Sequence, residues 1–138
     1  MRLLTSLTLA VLILVGSLRA EEPALGARLV VYNPSSGPVR FILRVENLSG
    51  VPQTISQPTS QSHDFAVTKD GREVWRWSAD KFFLQTVTER VFPPGQTTAF
   101  EGEWERTDQT GKKAPTGTYQ VEAWLPGTNL RTSRKFSL

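Results

Sequence analysis

The sequence predicts an all-β domain, a single antiparallel β-sandwich with Greek-key connections, and three observations carry that expectation. Apolar and polar residues alternate with period two from Arg28 onward. Turn residues separate these runs at intervals of about ten residues, the spacing of short sandwich strands. No stretch after residue 20 combines a helical period with caps.

The first element lies outside the sandwich. Met1 and Arg2 lead into an apolar run from Leu3 to Val15, broken only by Thr5, Ser6 and Thr8, and Gly16, Ser17, Leu18, Arg19 and Ala20 form a small-residue exit. A charged start, an apolar stretch and a small terminal residue describe a secretory signal peptide, cleaved after Ala20, with Ala27 as a weaker second site. The run is shorter than the roughly 20 residues a membrane span requires, and Glu21, Glu22 and Pro23 oppose a continuing helix. The expected organisation is a signal peptide over 1–20 and one domain over 21–138. The protein is expected to be exported, to a periplasm or to the medium, with no stable membrane span after cleavage.

Charge and composition then narrow the function classes. The 138-residue chain has 16 Lys plus Arg and 13 Asp plus Glu; losing Arg2 and Arg19 leaves 14 against 13, a net charge of +1. An exported, near-neutral surface argues against nucleic acid as a partner. The chain has no Cys, which excludes a disulfide framework, a Cys nucleophile and any thiolate metal site. A single His, His63, excludes multi-histidine metal clusters, so no cofactor is expected.

Within the domain the strands follow in order. Shorter alternating runs occupy Arg28–Tyr32, Asp64–Thr68, Glu73–Trp77, Thr97–Trp104 and Leu130–Phe136. In the clearest run, Val39 to Asn47, Val39, Phe41, Leu43 and Val45 face one way and Arg40, Arg44 and Glu46 the other. Tyr119, Val121, Ala123 and Leu125 repeat the pattern, with Thr118, Gln120 and Glu122 opposite. Asp70-Gly71 predicts a tight hairpin because both residues tolerate positive φ. Pro93-Pro94-Gly95 suits a type II turn, and Pro126-Gly127 divides the last two strands. Ala79–Arg90 has room for one helical turn, although Thr86, Val87 and Thr88 favour strand.

Several residues invite a functional reading. Trp75 and Trp77, two apart on one strand with Glu73, present either a flat platform for a sugar ring or, as the stronger expectation, core packing. Trp124 falls on the polar side of its strand beside Glu122 and Gln120, where it would anchor an interface unless a neighbouring element covers it. His63 beside Asp64, with Ser60 or Ser62 as nucleophile, suggests a triad, but adjacent strand residues point to opposite faces and no nucleophile elbow is present. Glu101, Glu103 and Glu105 form a solvated face rather than a calcium site, which draws on a tight loop. The loop Arg106–Thr116 is long, polar and cationic, and Lys112, Lys113 and Pro115 make it the first expected partner contact, with Gln53–Ser62 second.

The stretch from Ser60 to Trp104 resembles a known family. Ser60-Gln61 followed by Asp64-Phe65, then Asp70-Gly71-Arg72-Glu73-Val74-Trp75-Arg76-Trp77-Ser78, Phe83 and Gln85, and Pro94-Gly95 before Phe100 and Trp104, is similar to the BsuPI-type intracellular proteinase inhibitors. Val45-Glu46-Asn47 and Gly117-Thr118-Tyr119-Gln120-Val121 with Ala123 and Leu125 extend the likeness from about Tyr32 to Leu125. The resemblance implies an immunoglobulin-like sandwich and inhibition of a subtilisin-type serine protease. Two departures stand out: the family's usual Tyr before Asp-Phe is His63, and an export signal replaces an intracellular start. The expectation is a non-enzymatic exported protein that occludes the cleft of an extracytoplasmic, subtilisin-like serine protease. The other reading is a cell-envelope module that holds a protein or glycan without inhibiting it.

Overall fold

The computed structural model describes residues 24–138. The expected signal peptide, 1–20, lies outside them. Nine strands run β1 (Leu25–Tyr32), β2 (Val39–Asn47), β3 (Gln53–Gln57), β4 (Asp64–Lys69), β5 (Arg72–Arg76), β6 (Thr88–Phe92), β7 (Thr97–Trp104), β8 (Thr118–Trp124) and β9 (Arg131–Ser137), with one 3₁₀ turn at Trp77–Asp80. They pair antiparallel into a three-stranded sheet β1-β2-β7, a four-stranded sheet β5-β4-β8-β9 and a ribbon β3-β6. The pairings of β2 with β7 and of β4 with β8 join strands distant in sequence, as Greek-key connections do.

The period-two faces decide what lies between the sheets. Val39, Phe41, Leu43 and Val45 of β2 are buried, and Arg40, Arg44 and Glu46 are exposed. Phe65 and Val67 of β4 and Tyr119, Val121 and Ala123 of β8 meet them from the other sheet, and Phe92 of β6 adds the ribbon to the same core. Phe41 packs on Phe65 and Phe136 at 5.7 Å each, and Trp104, fully buried, lies 5.4 Å from Tyr119. No buried side-chain nitrogen or oxygen among the described residues lacks a hydrogen-bond partner.

Turns sit where the sequence places them. Asp70 and Gly71 both take positive φ (51° and 76°), the pair of values a hairpin turn of type I′ requires. Gly95 takes φ 69° after Pro94, and the Gln96 amide donates to the Pro93 carbonyl at 3.3 Å. Asn47 braces the corner after β2: its Nδ2 donates to the Val51 and Phe92 carbonyls, both at 2.8 Å.

One face assignment is corrected. A register shift between Val67 and Thr68 makes Val74 an extra residue in β5, opposite no partner. Such a bulge slips the alternation by one, so Val74 and Trp75 both pack against the core. Glu73 moves to the other face, where its carboxylate accepts from Arg76 Nε at 2.9 Å. Trp77 has left the strand for the 3₁₀ turn. Glu73, Trp75 and Trp77 therefore form no shared platform.

Candidate functional site

The loop from Arg106 to Thr116 is tightly organised without any covalent brace. The Asp108 carboxylate oxygen Oδ1 accepts from the Thr110 amide (2.9 Å), the Thr110 hydroxyl (2.6 Å) and the Lys112 amide (3.0 Å). These bonds, the Thr110 hydroxyl foremost, hold the Asp108 carboxyl below its ordinary value. The Asp108 amide donates to the Lys112 carbonyl at 2.8 Å, Thr107 bridges Lys113, and the Ala114 amide reaches the Arg106 carbonyl at 2.9 Å. Tyr119 Oη donates to the Pro115 carbonyl at 2.5 Å, and Trp104 Nε1 donates to the Thr107 carbonyl at 2.6 Å. Lys112, Lys113 and Pro115 are exposed on this frame.

The same loop has a second role. Gln109 lies along the open edge of β5: its amide donates to the Val74 carbonyl (3.2 Å) and its Oε1 accepts from the Arg76 amide (2.8 Å). The loop thereby satisfies backbone groups that a bare edge strand would offer to another chain.

Trp124 sits at the far end of β8 from Thr118, about 20 Å along the strand at 3.3 Å per residue. Its half-buried ring lies between two guanidinium groups, Arg76 at 5.0 Å and Arg131 at 4.7 Å. Arg131 also pairs with Glu122, and Arg76 with Glu73 and Asp64. Hydrogen bonding and charge from Glu73 raise the Arg76 pKa further above its ordinary value. The cover that the ring receives comes from β5 and β9 side chains.

His63 is buried beneath Trp77, whose ring is 4.2 Å away at 31°, and touches Phe100 (5.3 Å) and Phe65 (5.4 Å). Its Nε2 lies 2.9 Å from the Glu101 carbonyl, an acceptor only, which places the ring proton on Nε2. Nδ1 then accepts from the Ser62 hydroxyl at 2.7 Å. Burial holds the imidazole pKa below 6.5. Asp64 makes no hydrogen bond to His63; its carboxylate accepts from the Phe65 and Ser78 amides and from the Ser78 hydroxyl at 2.6 Å. Ser60 Oγ accepts from the Leu84 amide. Ser62 and His63 are bonded to each other, but the other His63 nitrogen is bonded to the Glu101 carbonyl and Asp64 is bonded to Ser78, so no triad assembles. Glu101 and Glu103 lie near Arg40 at 3.6 and 3.8 Å on the outer face of β7, an edge strand. No group of metal-ligating side chains occurs among the described residues.

The segment 81–87 is the part of the surface that the sequence reading missed. Phe82 is fully exposed, Leu84 is 73% exposed and Val87 67% exposed. Their neighbour Phe83 turns inward onto Trp77, with ring centroids 6.2 Å apart. The segment leaves the 3₁₀ turn in an extended conformation at Lys81 (φ −116°, ψ 152°). Leu84 is tied to Ser60 twice: its amide donates to Ser60 Oγ at 2.8 Å, and its carbonyl accepts from the Ser60 amide at 3.0 Å. The signal in the sequence is the run Phe82-Phe83-Leu84 between Asp80 and Glu89, which fits neither strand alternation nor a helical stripe.

No curated protein matches the chain. Residues 28–130, well over half of its length, match the BsuPI family, described as intracellular proteinase inhibitor. The match covers β2 to β8 whole, including the 3₁₀ turn and the exposed segment after it. The chain belongs to the BsuPI family of proteinase inhibitors, and it is not an enzyme.

Proposed function

We propose that this protein is an exported inhibitor of an extracytoplasmic serine protease of the subtilisin type, which it blocks by occluding the active-site cleft. Family membership is the observation that carries the reading. Cleft occlusion is supported by loops that are ordered before any partner arrives: Asp108 fixes 106–116, and the Leu84–Ser60 ties fix 81–87. Pre-ordering lowers the entropy lost on binding. Lys112, Lys113 and Pro115, exposed on the first of these loops, are placed to contact a protease surface around its cleft.

Export rests on residues 1–20. Cleavage after Ala20 would leave all nine strands whole, whereas cleavage after Ala27 would remove Leu25, Gly26 and Ala27 from β1.

The test is a titration of residues 21–138, which carry every strand, against a subtilisin-type protease, with cleavage of a small peptide substrate as the signal. Loss of activity near a one-to-one ratio, with the protein intact on a gel, is the expected result. Full activity at a large excess of intact protein would instead favour a non-inhibitory envelope-binding module.

A further inference from the structure

We propose that the segment 81–87 is the part of the molecule that enters the protease, with Phe82 as the side chain that fills an apolar specificity pocket. The inference rests on the inhibitor reading and adds where the cleft is met and what its pocket must accept.

Endopeptidases bind a peptide extended, by main-chain hydrogen bonds, with alternate side chains entering pockets. Residues 81–84, ahead of the bend at Gln85 and Thr86, carry that alternation. Phe82 and Leu84 point to solvent while Phe83, between them, packs on Trp77. Among the described residues the Phe82 amide and carbonyl make no hydrogen bond, so both are open to a partner's backbone. A Phe ring held fully in water on an ordered segment gains more from desolvation than any other exposed apolar side chain among the described residues, and aromatic anchors of this kind dominate interfaces.

The segment is held on both sides of Phe82. Before it, the Lys81 amide donates to the Ser78 carbonyl (3.1 Å), and Lys81 Nζ lies 4.4 Å from the Trp77 ring and donates to the Trp77 carbonyl (2.9 Å). After it come the Phe83–Trp77 contact and the two Leu84–Ser60 bonds. Trp77 is in turn seated on His63 and the core. Because the chain is tied to Trp77 before Phe82 and to Trp77 and Ser60 after it, a cut beside Phe82 releases neither end from the cleft. These anchors do for 81–87 what a disulfide does in other small inhibitors.

The cleft this segment fits belongs to a serine endopeptidase that selects a large apolar residue, not to one that selects Lys or Arg. The test compares the unaltered protein, Phe82→Ala, Phe82→Arg and the triple variant Lys112→Ala, Lys113→Ala, Pro115→Ala. Each is titrated against a subtilisin-type protease and a trypsin-type protease. Phe82 is fully exposed, so its variants retain the fold, which matched urea midpoints verify. The expected result is that Phe82→Ala weakens inhibition of the subtilisin-type enzyme about thirtyfold or more, the loss typical of a central anchor. Phe82→Arg gains inhibition of the trypsin-type enzyme, and the triple variant weakens inhibition less than Phe82→Ala does, as contacts at the rim of an interface do. If the unaltered protein inhibits and both Phe82 variants match it, the assignment of the segment is wrong and the inhibitor reading stands. If the triple variant alone abolishes inhibition, the inserted loop is 106–116. If the unaltered protein inhibits neither enzyme, the inhibitor reading fails, and this assignment with it.

Discussion

Trp77 lies against His63 with ring centroids 4.2 Å apart, and this contact links the exposed segment to the core. On one side of Trp77 are Phe83 and Lys81, which shape the segment 81–87; on the other is a histidine fixed by Ser62 and the Glu101 carbonyl.

That contact makes stability depend on pH. Burial depresses the His63 pKa below 6.5, so the folded protein binds fewer protons than the unfolded chain as the solution turns acidic. The contribution is complete above 6.5 and is lost as pH falls from there through the folded-state value. One proton limits the slope to about 1.4 kcal/mol per pH unit. Urea midpoints between pH 8 and 5 should fall on the acid side, and His63→Gln should remove that part of the slope.

Gly102→Ala should destabilise the domain by about 1–3 kcal/mol, the usual cost of overpacking a filled core. A Cβ at this position would lie 2.7 Å from Phe65 Cδ2 and 3.0 Å from Trp77 Cδ1. A reduced urea midpoint with an unchanged slope would verify the loss, and the near-ultraviolet signal of Trp77 should shift with it.

Asp108→Ala should loosen 106–116 without lowering the global unfolding midpoint appreciably. Amide hydrogen exchange at Thr110 and Lys112, both bonded to this carboxylate, should accelerate while the amides of β2 and β8 stay protected. The Asp108 pKa is depressed, so its contribution to loop order is complete above the ordinary carboxylate value and is lost as pH falls from there through the lowered value. Exchange rates measured against pH provide the check.

A chain ending at residue 130, where the family match ends, should not fold cooperatively. It lacks β9 and with it Phe136, which packs 5.7 Å from Phe41, 6.0 Å from Trp104 and 6.0 Å from Tyr119. Removing a core Phe alone costs about 3–5 kcal/mol, and β8 would become an open edge prone to association. Thermal unfolding followed by circular dichroism, with size-exclusion chromatography, would show a broad transition and aggregates.

Much of the frame is legible in the sequence because a half-buried strand must sort its side chains by face. Val39, Phe41, Leu43 and Val45 are inside for that reason, and Asp70-Gly71 turns where it does because both residues accept positive φ. β3 is illegible on the same grounds: Gln53-Thr54-Ile55-Ser56-Gln57 has polar residues on both faces. Its buried end is the Gln57 amide, satisfied by the Ser62 carbonyl across the following loop and by the Pro126 carbonyl, a partner distant in the chain. The slip at Val74 hides because a bulge is a property of two paired strands. The two arginines around Trp124 come from β5 and β9, which meet only in the folded sheet. Phe82 and Leu84 escape a reading that assigns apolar residues to the core, since tertiary ties at Ser60 and Trp77 keep them out of it.

The aromatic and aliphatic core that joins the two sheets also settles how the domain meets oxidants. The single Met is Met1, and there is no Cys, so residues 24–138 contain no sulfur atom. None of their side chains enters the ladder from thiol or thioether to sulfenate or sulfoxide. Peroxide and thiol reagents therefore have no packing-critical sulfur to attack, and the redox poise of a compartment has no disulfide to make or break. The same interlocked rings close in a reducing or an oxidising solution.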